Sequence, residues 1–232
     1  SMNKQLTIVI PCKNEGKGVI DILKLIRRQK LDCQIIVADS SDDKDSIQWI
    51  EKILIDFKYI LRIEVIKGGY PSQARLYGSR LVTTPYMLFL DSDVFLFNSN
   101  TLEECIKHSK GLVTVPFYTD YPYKWVFRVF DIFQLLSSLL KTPFAVGGFQ
   151  LWETKEYRKL GGYNPKELFA EDYSLSQKVN SKNFKVVNIH GAYTSARRFQ
   201  KKGVLWMFSI MIKSYINRKE PEFFKHHHDY WT

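Results

Sequence analysis

Residues 86–93, Tyr-Met-Leu-Phe-Leu-Asp-Ser-Asp, constrain this chain more than any other stretch. Five apolar residues are too few for a helix and too uniformly apolar for a half-exposed strand, so they read as a strand buried on both faces, as inside a parallel sheet. Such a sheet is covered by helices and binds ligands outside the carboxyl ends of its strands. The strand therefore delivers Asp91 and Asp93 to a ligand-binding edge, where the i, i+2 spacing can aim both at one point. Hard oxygen ligands of this kind suit Mg²⁺ or Mn²⁺ carrying phosphate oxygens, although a lone Asp-x-Asp also serves as a pair of loop acids that cap or turn.

The residues before that strand repeat one unit. Leu6 to Ile10 predicts a β-branched strand closed by Pro11, with a polar loop of Lys13, Asn14, Glu15 and Gly16. A helix carrying Val19, Ile20, Leu23 and Ile26 follows, then a strand Gln34 to Ala38 running into Asp39. A helix Asp45 to Phe57, a strand Leu61 to Ile66 and a helix capped by Ser72, with Leu76 and Leu81 inward and Arg75 and Arg80 on its flank, complete the alternation. This is the pattern of an α/β fold. Beyond it the spacing predicts a helix Asn98 to Lys110, strands Leu112 to Val115, Ala145 to Leu151 and Lys185 to Ile189, and helices Glu153 to Leu160 and Ala170 to Val179. The length suits one domain. No G-x-x-x-x-G-K-[ST] or G-x-G-x-x-G is present. Three scattered cysteines, Cys12, Cys33 and Cys105, are expected to be reduced core thiols.

Acids or turn residues at the ends of separate strands, Pro11 to Glu15, Asp39 to Ser41, Asp91 to Asp93 and His190, become neighbours along one sheet edge. Their order resembles one family. Thr7 to Glu15 reads Thr-Ile-Val-Ile-Pro-Cys-Lys-Asn-Glu, and Ile35 to Asp42 reads Ile-Ile-Val-Ala-Asp-Ser-Ser-Asp. Ala-Arg-Leu-Tyr-Gly-Ser precedes Leu-Phe-Leu-Asp-Ser-Asp, and Gly-Gly-Phe, Leu-Gly-Gly-Tyr and Ala-Glu-Asp-Tyr-Ser-Leu come after. Over about residues 6–200 the series resembles a family 2 inverting glycosyltransferase of GT-A fold, which implies a mostly parallel central sheet flanked by helices.

The resemblance implies a nucleotide-sugar donor and roles for the matching residues. Pro11, Glu15 and Asp39 would line the base and ribose pocket, and Arg75 would sit near the phosphates. Asp91 and Asp93 would be the metal pair, with Asp93 the direct ligand of Mn²⁺ or Mg²⁺ and His190 a further ligand. Gly147 and Gly148 would let backbone approach the sugars, Asp172 would be the base that deprotonates an acceptor hydroxyl, and Arg197 and Arg198 would close over the diphosphate. Chemistry supports these assignments: a departing diphosphate needs its charge neutralised, and a carboxylate in a helix's first turn is kept ionised by the dipole. Ser40 stands where many relatives place a second Asp. The Gln-x-x-Arg-Trp signature of processive synthases is absent, which predicts single transfers.

Two other readings compete. A nucleotidyltransferase of similar topology would carry a glycine-rich loop straight after the first strand, where this chain has Pro11 to Gly16. A nucleic-acid-binding module would account for Lys and Arg exceeding Asp and Glu by 34 to 24, but acids crowd the edge where nucleic acid would sit, and none is expected as a partner.

Two apolar segments are not required by the sheet. Tyr123 to Leu140 carries one polar line, Lys124, Arg128, Asp131, Gln134 and Ser138, on an otherwise apolar helix, and Val204 to Ile212 is apolar nearly all round. Either both are buried against the sheet or they lie in an interface. Between Arg197 and Lys225, eight Lys and Arg face only Glu220 and Glu222. Residues 201–232 thus read as an amphipathic helix and basic, aromatic tail packed on a catalytic domain of residues 1–200. Basic flanks around Trp206 predict peripheral attachment to the cytoplasmic membrane face, suiting a lipid-linked or membrane-bound acceptor. The short run Leu6 to Ile10 is no secretory leader, which predicts a cytoplasmic protein.

Overall fold

The computed structural model describes residues 5–57, 62–120, 122–228 and 230, with backbone only at 62–65 and 198. The apolar runs form β1 (Leu6–Cys12), β2 (Cys33–Asp39), β3 (Arg62–Lys67) and β4 (Tyr86–Leu90), linked by helices α1 (Gly16–Arg27), α2 (Lys44–Asp56) and α3 (Pro71–Arg80). All four strands are parallel, β1 lying between β2 and β4. The start of the strand expected at Leu61 lies outside the described residues.

The pleat divides each central strand between two cores. Leu6, Ile8 and Ile10 of β1, with Leu88 and Leu90 of β4, pack on one face. Val9, Met87 and Phe89 pack on the other, beside Trp152, Tyr157 and Tyr163. Continuous apolar sequence is what such two-sided burial requires. On that second face α3 lies directly on β1, because a Cβ at Gly78 would come within 2.4 Å of Val9. The helix is set differently from expectation: Tyr70 is its N-cap with Pro71 in the first turn, Ser72 is buried and donates to the Glu167 carbonyl at 2.6 Å, and Leu81 is exposed. Arg75 points inward and is only 4% exposed.

After β4 come β5 (Val94–Leu96), α4 (Thr101–Lys107), β6 (Leu112–Thr114), β7 (Phe117–Tyr118), α5 (Lys124–Leu139), β8 (Phe149–Glu153), α6 (Thr154–Lys159) and α7 (Glu171–Ser176). Then follow β9 (Phe184–Val186), β10 (Ala192–Thr194), α8 (Arg197–Lys202), α9 (Val204–Ile216) and α10 (Pro221–Phe224). The main sheet runs β3-β2-β1-β4-β8-β6-β9, with β8 antiparallel to both neighbours, and β5-β10-β7 form a second, small sheet. That small sheet was not expected, since strands of two or three residues carry no readable periodicity.

The strand expected over Ala145 to Leu151 begins only at Phe149. Residues 145–147 spend their N–H groups elsewhere: Ala145 donates to Ser176 Oγ at 3.4 Å, Val146 to Gln134 Oε1 at 3.0 Å and Gly147 to Asp172 Oδ2 at 2.9 Å. The expected strand Lys185 to Ile189 likewise stops at Val186, leaving His190 in the link to the small sheet.

Helix α5 turns Asp131, Gln134 and Ser137 inward, whereas Lys124 and Arg128 of its polar line are exposed and Ser138 is half-buried. Asp131 Oδ1 accepts the Phe117 N–H at 3.0 Å, Gln134 Nε2 donates to the Val115 carbonyl at 3.2 Å, and Ser137 Oγ accepts the Phe144 N–H at 2.8 Å. Short strands leave backbone groups without ladder partners, and burying those unpaired would cost about 1–3 kcal/mol each. The polar residues answer that need. Consequently much of the apolar girth faces outward, with Trp125, Ile132, Leu135 and Leu139 exposed. Burial pushes the Asp131 carboxyl up to about 6. Only Ile210 and Ser214 of α9 are buried, although Phe208 stacks on Phe130 with ring centroids 5.9 Å apart. Among the described residues no helix is long and apolar enough to cross a membrane.

Candidate active site

A cleft of about 1580 Å³ follows the carboxyl ends of β1 and β4 and continues between α5 and α9. Pro11, Glu15, Asp91, Asp93, Gly147, Gly148, Asp172 and Arg197 line it. Asp39 and His190 do not.

Its floor is built around one buried cation. Arg75 Nη2 donates to Asp91 Oδ1 at 2.7 Å and Nη1 to Glu171 Oε1 at 2.5 Å, while the guanidinium stands over the Tyr163 ring at 5.5 Å. Burial alone would lower its pKa; Asp91, Tyr163, Glu171 and Asp172 outweigh that and hold Arg75 charged. Continuing the pleat of β4 brings Asp91 to the face of Met87 and Phe89, where α3 presents Arg75. Hence Arg75 is not on the flank of its helix, and its Nη groups are committed to carboxylates rather than open for a phosphate.

Asp172 hangs above this pair. Its two oxygens accept the Gly147 N–H at 2.9 Å and the Tyr173 N–H at 2.8 Å, which fix the carboxylate's orientation. A Cβ at Gly147 would come 2.9 Å from Arg75 Nη2 and 3.1 Å from Asp172 Cβ, so glycine there is the condition for the two charges to approach. The expectation that a helix dipole would keep Asp172 ionised is corrected. Helix α7 has only six residues, and burial raises the pKa of Asp172, with Arg75 and the two N–H groups opposing. Glu171 is raised for the same first reason.

On the opposite lip Ser92 Oγ donates to Glu15 Oε2 at 2.5 Å, and the exposed Arg197 pairs with Glu15 Oε1. Asp39 instead accepts Ser41 Oγ at 2.6 Å, inside a laced pair of loops in which Asn14 Nδ2 donates to Asp42 Oδ1 at 2.8 Å. Ser40, which lines the cleft, donates to the Gly69 carbonyl at 2.8 Å. His190 is exposed and lies against Tyr118 at 3.6 Å between ring centroids. The side chain of Arg198 is outside the described residues. Glu171, Ser92 and Ser40 join the site without a role assigned from the sequence; their signals there are adjacency to Asp172, to the Asp91 and Asp93 pair and to Asp39.

Ala170 and Ala196, the residues before Glu171 and Arg197, hold φ of 46° and 55°. A left-handed backbone costs a residue with a Cβ roughly 1–3 kcal/mol, and here both cases immediately precede residues that line the cleft.

Among the described residues no three His, Cys, Asp or Glu converge as a ready-made metal site. The donor set nevertheless fits Mg²⁺ or Mn²⁺ arriving with phosphate, since such ions are commonly held by one or two carboxylates plus substrate oxygens and water. Asp93, which lines the cleft beside Asp91, can serve in this way.

The model of glycosyl transferase family 2 matches residues 7–161. The chain belongs to that family. Among similar proteins is the 4,4'-diaponeurosporenoate glycosyltransferase of Staphylococcus haemolyticus, 23% identical over 216 residues, covering 85% of this chain and 57% of that protein. Solved structures with the same fold include S. aureus TarS 1-349 in complex with UDP-GlcNAc, with a TM-score of 0.63, 17% identity and coverage of 82% of this chain and 58% of that one. Another is the mannosyltransferase PcManGT of Pyrobaculum calidifontis in complex with GDP-Man and Mn²⁺, with a TM-score of 0.67, 15% identity and coverage of 90% and 64%. This family 2 chain thus spans little more than half the length of the first two. The GT-A fold, with its mostly parallel sheet flanked by helices, stands as the sequence implied.

Removing Arg75 tests the floor of the cleft. Arg75→Met should destabilise the protein by about 3–5 kcal/mol at pH 7, the usual cost of stranding buried charges. Without the cation the folded-state carboxylate pKa values rise further above their unfolded values, so the folded variant binds more protons and its deficit should shrink as the pH is lowered toward 4.5. Denaturant unfolding at both pH values measures this; equal deficits would mean the carboxylates are not what Arg75 serves.

Proposed function

We propose that the protein is an inverting glycosyltransferase, hexosyltransferase-like, that moves a single sugar from a nucleotide-diphosphate sugar to an acceptor hydroxyl. The observation that carries this is Asp172, held by two backbone N–H groups at the rim of a cleft that also receives Asp93. Family membership and the nucleotide-sugars named with the two solved structures support the donor class.

In this reading Asp172 takes the acceptor's proton as the hydroxyl oxygen attacks the anomeric carbon. The bond from that carbon to the diphosphate breaks, its electron pair leaves with the nucleoside diphosphate, and attack from the opposite face inverts the centre. Burial, by raising the pKa of Asp172, makes it a stronger base than an ordinary aspartate. Arg75 acts as a positioning residue, fixing Asp91 and Glu171 beneath the reacting groups. Arg197, exposed on the lip and now paired with Glu15, and Arg198 beside it supply cations for the diphosphate, with Pro11 and Glu15 on the nucleotide side. Gly147 and Gly148 bring backbone to the sugar. A Mn²⁺ or Mg²⁺ ion held through Asp93 would neutralise charge on the leaving diphosphate. Nothing in the position of His190 supports its service as a further ligand.

Asp172→Asn should keep donor affinity within a few-fold while transfer falls roughly 10²–10⁴-fold, and the wild-type rate should decline on the acid side through a pKa above the usual value of about 4. Equal transfer rates for the two proteins at saturating donor and acceptor would remove Asp172 from the mechanism. Donor hydrolysis should also require a divalent ion and be lost in Asp93→Ala. Hydrolysis that survives both chelation and that substitution would rule out the ion.

The acceptor is proposed to be lipid-linked or membrane-bound, with the protein peripheral on the cytoplasmic membrane face. Support comes from the outward apolar faces of α5 and α9, Leu139 being 78% and Leu205 85% exposed, beside exposed Lys124, Arg128, Lys201 and Lys213. Each cation near an anionic surface contributes about 1 kcal/mol. The protein should sediment with phosphatidylserine-containing vesicles at low salt and be released at high salt. Remaining in the supernatant at low salt would end this assignment.

A further inference from the structure

The donor, the metal and Asp172 account for only the polar part of the cleft. Its remainder, between α5 and α9, is walled by Phe130, Phe133, Phe144, Met207, Phe208 and Met211. These six side chains offer no charge and no strong hydrogen-bonding group. Met207, Phe208 and Met211 face α5 yet stay only half-buried, so the helix pair is not closed upon itself. Ser137, Thr142, Tyr173 and Ser214, which share this lining, are already hydrogen-bonded within the protein, so a sugar or peptide acceptor placed there would replace few of its hydrogen bonds to water, whereas an apolar chain would gain about 0.8 kcal/mol per buried CH₂. Unbranched methionines adapt to such a chain better than a rigid wall would.

The same cleft lining extends in two directions. Inward it meets Phe117, Val146 and Gly147, the last bonded to Asp172. Outward it includes Leu140 and Ile212, which line the cleft and are also 61% and 58% exposed, at the border of the apolar outer faces. An occupant therefore has its reactive end at Asp172 and its tail at the surface.

We propose that the α5/α9 half of the cleft is the acceptor site and takes a long apolar chain ending in a hydroxyl, with the hydroxyl at Asp172 and the tail leaving past Leu140 and Ile212. This rests on the transfer reading of the same site. The step balances as before: the chain's hydroxyl oxygen bonds to the anomeric carbon, its proton passes to Asp172, and the nucleoside diphosphate leaves with the electron pair.

The probe is cis-parinaric acid, whose fluorescence rises on entering an apolar site, titrated into the full chain. Saturable binding is expected, displaced by 1-dodecanol and not by maltose. Phe133→Glu and Met211→Glu, on the wall, should weaken it at least tenfold. Leu139→Glu and Leu205→Glu, outside the wall, should leave it within twofold. Mn²⁺-dependent binding of UDP or GDP, whichever the wild type takes, checks that each variant is folded. Should either wall variant fail that check, Phe133→Ala and Met211→Trp replace it, with the same loss expected. Folded wall variants that bind the probe like wild type, or outer variants that lose it equally, overturn the proposal. So does donor cleavage by a wild-type protein that shows no saturable probe binding. Probe binding with the expected mutant pattern but no cleavage of any nucleotide-sugar overturns instead the transfer reading, leaving an apolar-ligand site.

Discussion

The buried guanidinium of Arg75 is the interaction on which the site depends. One cation compensates three carboxylates that arrive from distant parts of the chain: Asp91 at the end of β4, and Glu171 and Asp172 at the start of α7. Charges this deep are tolerated only when paired and hydrogen-bonded. The pairing in turn dictates its surroundings. Gly78 lets α3 lie close enough to β1 for Arg75 to reach inward, and Gly147 lets the 145–148 loop pass between Arg75 and Asp172. A planar guanidinium can hold Asp91 and Glu171 at once, which an ammonium cannot do with the same geometry.

A second constraint shapes the outer half of the molecule. β6, β7 and the 145–148 loop are too short or too irregular to satisfy their backbone groups in ladders, and α5 meets the need with Asp131, Gln134 and Ser137. A helix that turns these three polar residues inward has to turn apolar residues outward. The exposed Trp125, Leu135 and Leu139 are thus a consequence of hydrogen-bond satisfaction in the core, and they leave an apolar surface beside the cleft. α9, buried at only two positions, extends it.

The cleft joins these two systems. Its polar half is held by charges and by left-handed Ala170 and Ala196, each set immediately before a cleft residue, Glu171 or Arg197. Its apolar half is held by aromatic contacts, Phe130 with Phe208 and Phe127 with Phe199 at 5.2 Å. The proposed transfer from a polar, anionic donor to an apolar acceptor would use both environments, which meet at Asp172.

The apolar strands β1, β2 and β4, their parallel order and the edge to which they bring Pro11, Glu15, Asp91 and Asp93 were legible in the sequence, because a strand buried on both faces must be apolar throughout and must end where polarity begins. Asp172 and the family were legible from motif order. What the sequence could not reveal depends on partners far along the chain. Arg75 reads as a flank residue until Asp91 and Glu171, 16 and 96 positions away, are seen to meet it. Residues 145–148 read as strand until Gln134, Asp172 and Ser176 claim their N–H groups. The apolar α5 segment reads equally as buried against the sheet or as lying in an interface, since periodicity reports that a helix has two faces and not which one is buried. That choice belongs to the unsatisfied backbone of the neighbouring strands, which exists only once the chain has folded.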